Sequence, residues 1–157
     1  MRKMHSGFTL IELIVVITIL GILAALAMPR FIAAQQDARI AKAQAVFGSI
    51  RSAGLLAHSR CELDLSQGFV AAGTCGNATQ QVTMEGTAVD ITNQYPADSA
   101  TGIDAAAQIL ASDGITAAGA APRTFDIAGG TSPNCRISYT AAAAGGAPTV
   151  AIVTTGC

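Results

Sequence analysis

The sequence predicts an α+β protein: one long N-terminal α-helix, membrane-spanning in its first half, packed by its second half on a C-terminal head with an antiparallel β-sheet. Three observations carry this. The run from Phe8 to Met28 is apolar except for Glu12 and two threonines. Beyond Pro29 the apolar residues recur at spacings of three and four, and the helix is expected to end near His58. The rest holds short alternating or β-branched stretches separated by Gly, Pro, Asn and Asp. The expected boundaries are a basic segment over 1–7, an apolar helix over 8–29, its amphipathic continuation over 30–58, and the head over 59–157.

The apolar run is hydrophobic on every side, so it is not a one-faced surface helix. Its 21 residues would extend about 32 Å, close to the ~30 Å of bilayer hydrocarbon. Gly21 and Pro29 are its weak points, since in a helix interior Gly costs about 1 kcal/mol and Pro about 3. The plain reading is a kinked membrane helix; the sharper one is that Gly21 to Met28 is a weak segment that can stretch or unwind in an assembled state. In the continuation, Ile40, Ala43, Phe47, Ile50, Gly54 and Ala57 form the stripe expected to face the head. Gln35, Arg39, Lys42 and Arg51 take polar positions elsewhere on the helix.

In the head, "CELDLSQGFVAAGTCGNATQQ" reads as a loop and "VTMEGTAVDIT" as two strands around Glu85-Gly86. "NQYPADSATG" reads as a loop, and "IDAAAQILAS" as a short helix capped near Thr101. "RTFDIA", "CRISYTAA" and "PTVAIVTT" complete a sheet of about four strands.

Composition narrows the function. Apolar residues are 51% of the 157, but many are Ala; aromatics are 4%. Such a core is thin and calls for support from a long helix, disulfides or neighbouring subunits. The net charge of −1, with no basic patch or aromatic platform, gives no reason to expect nucleic-acid contact. Cys61, Cys75, Cys135 and Cys157 form no CxxC pair, and two His are too few for a zinc site, so no metal is expected. An even count behind an export-like N-terminus reads as two disulfides. Three connectivities are open, and the sequential one is preferred. Its 61–75 and 135–157 loops would stabilise by about 3 and about 3.4 kcal/mol in the chain-entropy account.

Glu12 separates three readings of the N-terminus. Arg2 and Lys3 before an apolar run keep that end cytoplasmic, which fits a plain anchor. Ala25-Leu26-Ala27 fits a secretory signal. Both leave unexplained a carboxylate that costs up to ~3 kcal/mol in a spanning helix. A cut between Gly7 and Phe8 would explain it. Phe8 would carry a new amine one helical turn from Glu12, and the amine of one copy could pair with Glu12 of another, fixing the register of stacked copies.

The stretch "GFTLIELIVVITILGILAALAMPRF", behind a basic leader, resembles the N-terminus of type IV pilins (type IVa, short leader) and the related pseudopilins. The resemblance covers Arg2 to about Phe31 and implies the pilin fold. It implies that a prepilin peptidase removes 1–7 by cutting after Gly7 and methylates the Phe8 amine, which keeps its charge. Glu12 then sets assembly register. The implied partners are the inner membrane before assembly, the pilus assembly machinery, and like copies in a helical filament outside the cell. Adhesion, motility or DNA uptake can be built on such a fibre. The head stretches "TNQYPADSATG" and "CRISYTAA…APTVAIVTTGC" look most like mannose-sensitive haemagglutinin-type pilins. Alternatives are a minor pilin, a type II secretion pseudopilin, or an anchored binding module that never polymerises.

No catalytic arrangement can be assembled. His5 lies in the leader, leaving His58 alone, and Asp90, Asp98, Asp104 and Asp113 suit caps and solvated faces. Some pseudopilins hold calcium near the C-terminus, but no acid follows Asp126 here. The expectation is a structural protein, not an enzyme, with no cofactor. Mass spectrometry of the native chain separates the N-terminal readings: N-methylated Phe8 as first residue is expected, against Met28 for secretion or Met1 for a plain anchor.

Overall fold

The computed structural model describes residues 8–67, Cys75 and 80–157. The leader, and most of the segment between Cys61 and the first strand that was read as loop, lie outside the described residues. Helix α1 spans Leu10–Ser66 without interruption and takes Pro29 into its interior. The chain divides into two units at Asp37/Ala38. In the first, every described residue is exposed.

The second unit holds the rest of α1 and two antiparallel sheets. Strands β1 (Gln80–Met84), β2 (Thr87–Thr92) and β3 (Tyr95–Pro96) form one in sequence order. Strands β4 (Ile115–Ala118), β5 (Arg123–Ile127), β6 (Arg136–Thr140) and β7 (Thr149–Val153) form the other as a meander. A short π-type helix α2, Ala100–Asp104, leads from the first sheet towards the second. The α+β class with an antiparallel sheet is borne out.

Most of the expected stripe is what α1 buries: Ala43, Ile50, Gly54 and Ala57 are buried, and Ile40 and Phe47 are half-buried. Ala43 and Ile50 join Phe125, Ile137 and Tyr139 in a core over the four-stranded sheet. Two turns further along, Ala57 and Cys61 join Val82, Val89 and Ile91 in a second core. Opposed pairs such as Val82–Val89 and Phe125–Ile137 place side chains of successive strands on the same face.

Several expectations are corrected. Helix α1 runs past His58 to Ser66, so "CELDLS" is helical rather than loop. Between His58 and Gly68 there is no Gly or Pro, and an Arg60–Asp64 ion pair, 3.0 Å across one turn, supports the extension. The loop read at "NQYPADSATG" contains β3, entered through Asn93-Gln94, both at positive φ. Glu85-Gly86 has the same left-handed pair, which closes a two-residue hairpin with native twist. Helix α2 begins earlier and is shorter than expected, because Ser99 rather than Thr101 caps it, its hydroxyl accepting the Gly102 N–H at 3.0 Å. Gly102 is required there, since a Cβ would strike the Ala97 carbonyl. Strand β4 has no counterpart in the sequence reading, and the hairpin joins β3 in a sheet separate from the other four strands.

Tyr139 links the two sheets. It is wholly buried in β6, and its hydroxyl donates to the Pro96 carbonyl in β3 at 2.7 Å. Burial pushes the phenol pKa far above its ordinary value. Tyr139→Phe is expected to destabilise the head by about 1–3 kcal/mol by stranding that carbonyl. Ile50→Ala should cost about 2–5 kcal/mol through the cavity it leaves. Denaturant melts of the full chain in detergent micelles check both.

Candidate functional site

The described start of the apolar helix is built by its first polar residues. Thr9 stands just before Leu10 and Glu12 is the third helical residue, the spacing of a capping box. The Glu12 N–H donates to Thr9 Oγ1 at 3.3 Å. In return Glu12 Oε2 accepts the Thr9 N–H at 3.0 Å and the Thr9 hydroxyl at 2.6 Å. Both bonds fall on one carboxylate oxygen; among the described residues Oε1 has no hydrogen-bond partner. The cap was missed in reading the sequence, although Thr9-Leu10-Ile11-Glu12 carries its pattern openly.

Phe8 lies just outside the helix with 78% of its surface exposed, and Gly7 lies outside the described residues. The bond between them is thus only half in view. Leu10, Ile11, Leu13 and most of the large side chains to Ile32 are likewise exposed, on all sides of the rod. Thr18 does not break this surface, because its hydroxyl turns back to the Val15 carbonyl at 2.9 Å. Gly21 has open space where a side chain would stand, and Pro29 is accommodated in helical backbone. The segment between them is helical. The helix is long and apolar enough to cross a membrane.

In the second unit, cations of α1 bind the head through backbone oxygens. Arg39 Nε donates to the Cys157 carbonyl, and Lys42 to those of Asp113 and Gly114. These side chains were read as merely polar positions. Cys61 is bonded to Cys75, and Cys135 to Cys157. The first bridge holds the last part of α1 in the smaller core, and the second ties the end of β7 to the start of β6.

Further polar side chains of the second unit are engaged with one another. Arg123 grips Asp104 with Nε–Oδ1 at 3.0 Å and Nη2–Oδ2 at 2.6 Å, fastening α2 to β5; the carboxylate holds the guanidinium pKa above its usual value. Arg136 grips Asp126 across β5 and β6 at 2.6 and 2.7 Å, with Ser132 on the same carboxylate. His58 lies flat on Tyr95, ring centres 4.4 Å apart, and its Nδ1 is 3.2 Å from the Gln94 carbonyl. A carbonyl only accepts, so Nδ1 carries the proton. Among the described residues no three His, Cys, Asp or Glu side chains cluster as metal ligands.

The Arg136 hydrogen bonds lower the Asp126 pKa, against a smaller opposing effect of burial. A lowered folded-state pKa contributes stability that is full above the unfolded value of ~3.9 and is lost as pH falls through the folded one. Asp126→Asn should lower stability at pH 7 and flatten its decline below pH ~4. Urea melts across that range measure the slope.

Residues 2–28 match the family described as the prokaryotic N-terminal methylation motif. The chain is 49% identical over 52 residues to the type IV narrow pilus major component of Thermus thermophilus, covering 33% of this chain and 45% of that one. It is 44% identical over 52 residues to the type II secretion system core protein G of Pseudomonas aeruginosa, covering 33% of this chain and 37% of that one. Each match thus spans under half the length of the relative. No solved structure matches.

Proposed function

We propose that this chain, which carries the N-terminal methylation motif, is the structural subunit of a type IV pilus: a precursor held in the inner membrane, then polymerised into a filament outside the cell. The observation that carries this reading is the first unit itself. An apolar helix exposed on every side must be covered, and a bundle of identical helices can replace lipid. One such contact repeated between unlike faces gives an open helical polymer.

Cleavage after Gly7 would place the Phe8 amine, methylated but still charged, at the head of that helix. Glu12 supports the register role because the cap uses only its Oε2. The other oxygen is left to accept the amine of a neighbouring copy, so one carboxylate serves both its own helix and the next. Gly21 and Pro29 would let the segment between them stretch as copies pack. The prepilin peptidase and the pilus assembly machinery are the partners, and the disulfide-braced head forms the outer surface. The role is structural rather than catalytic. The second reading is a type II secretion pseudopilin, which the second relative favours. Fibre length separates the two.

Glu12→Ala should leave processing after Gly7 intact and abolish or greatly reduce fibres sheared from cells. Glu12→Gln separates cap from charge, because Gln preserves the capping box. Loss of fibres in both variants is expected; normal yield in Glu12→Gln would show that the acid acts only on its own helix.

A further inference from the structure

Two more charges stand on the exposed helix of the first unit, Arg30 and Asp37. Among the described residues neither has an ion-pair or hydrogen-bond partner, whereas Arg39 and Lys42 beyond them are engaged with the head. Helical geometry puts the unpartnered pair on the side of Glu12. Arg30 follows Glu12 by 18 residues, about five whole turns. Asp37 follows Arg30 by one heptad, which drifts only ~20°. The described part of the first unit, residues 8–37, thus carries its charges along one line, and its other residues there are uncharged.

We propose that Arg30 of one copy pairs with Asp37 of its neighbour, a second register contact set by the same displacement that brings Phe8 to Glu12. This rests on the polymer reading above. Setting the Phe8 amine of one helix level with Glu12 of the next displaces parallel helices by four residues, about 6 Å. Arg30 then stands level with Ala34 of the neighbour. Asp37 is three residues further, about 4.5 Å along the axis, within the length of an extended Arg side chain. The two contacts run in the same sense, from a cation on the advanced copy to an acid on the other.

Stretching of Gly21–Met28 leaves the axial match intact. Copies related by one symmetry operation stretch alike, so their axial displacement is equal above and below that segment. A bundle that turns this face inward brings both pairs together between neighbours. The occupant of this face is therefore a second copy of the chain, chosen by charge complementarity along an apolar rod.

The test uses the full chain in cells that assemble its fibres. Arg30→Asp and Asp37→Arg are each expected to lower sheared fibre yield by about ten-fold, with cleavage after Gly7 unchanged. The double reversal Arg30→Asp/Asp37→Arg restores the pair and should recover most of the yield. In Arg30→Cys/Asp37→Cys, mild oxidation should give a ladder of cross-linked multimers. Residues seven apart on one helix lie about 10.5 Å from each other, beyond the ~7 Å reach of a disulfide, so the links must join copies. Normal yield in the single reversals, or loss without recovery and without a ladder, overturns the pair while wild-type fibres persist. Wild-type chain that is processed but forms no fibre overturns the polymer reading, and the pair with it.

Discussion

A rod with apolar side chains on every side has no stable place in water. Each large aliphatic group left wet costs about 1.5–3 kcal/mol, and the helix from Leu10 to Ile32 carries more than a dozen. Lipid can cover it, and so can other rods of the same kind. The rest of the chain follows from that need. Glu12 is tolerable at the rod's end because Thr9 satisfies one of its oxygens locally. Arg30 and Asp37 come only after Met28, where the longest apolar stretch has ended.

The head solves a different problem, how to stay folded with few large side chains. It divides its apolar material into two small cores and lays α1 across both, so that one helix supplies a wall to each. The Tyr139 hydroxyl, the Arg123–Asp104 grip and two disulfides then join pieces that neither core could hold alone. These contacts are polar or covalent, and they do not depend on bulk. A composition rich in Ala and Gly is compatible with a fixed structure on those terms.

The parts legible in the sequence were those with long periods or unambiguous turns. The apolar run, the stripe from Ile40 to Ala57, the Glu85-Gly86 hairpin and strands β5 to β7 all announce themselves by spacing. What stayed hidden was short or decided at a distance. Two-residue β3 is held by pairing with Thr92 and Ile91 and by the Tyr139 hydroxyl, which no local pattern encodes. In β4 the alternation of Ile115 with small residues is too weak to separate strand from loop. Whether α1 stops at His58 or Ser66 depends on Cys61 being drawn into a core completed by Val82 and Val89. At the candidate site, Glu12 stood out because it was expensive, whereas its partner Thr9 was overlooked because a threonine there seemed inexpensive. The bonds from Arg39 and Lys42 connect positions more than seventy residues apart, and sequence spacing carries no sign of them.

The Cys135–Cys157 bridge encloses β6, the turn and β7 in a single closed ring. Under mechanical load such a ring adds almost nothing to the extensible contour of the chain. Traction on the head cannot peel β7 away and pay it out as slack, because its far end is clipped to the base of its own neighbour. Any lengthening must come from chain outside the ring, and the last hairpin behaves as a knot in a tether rather than as a spring.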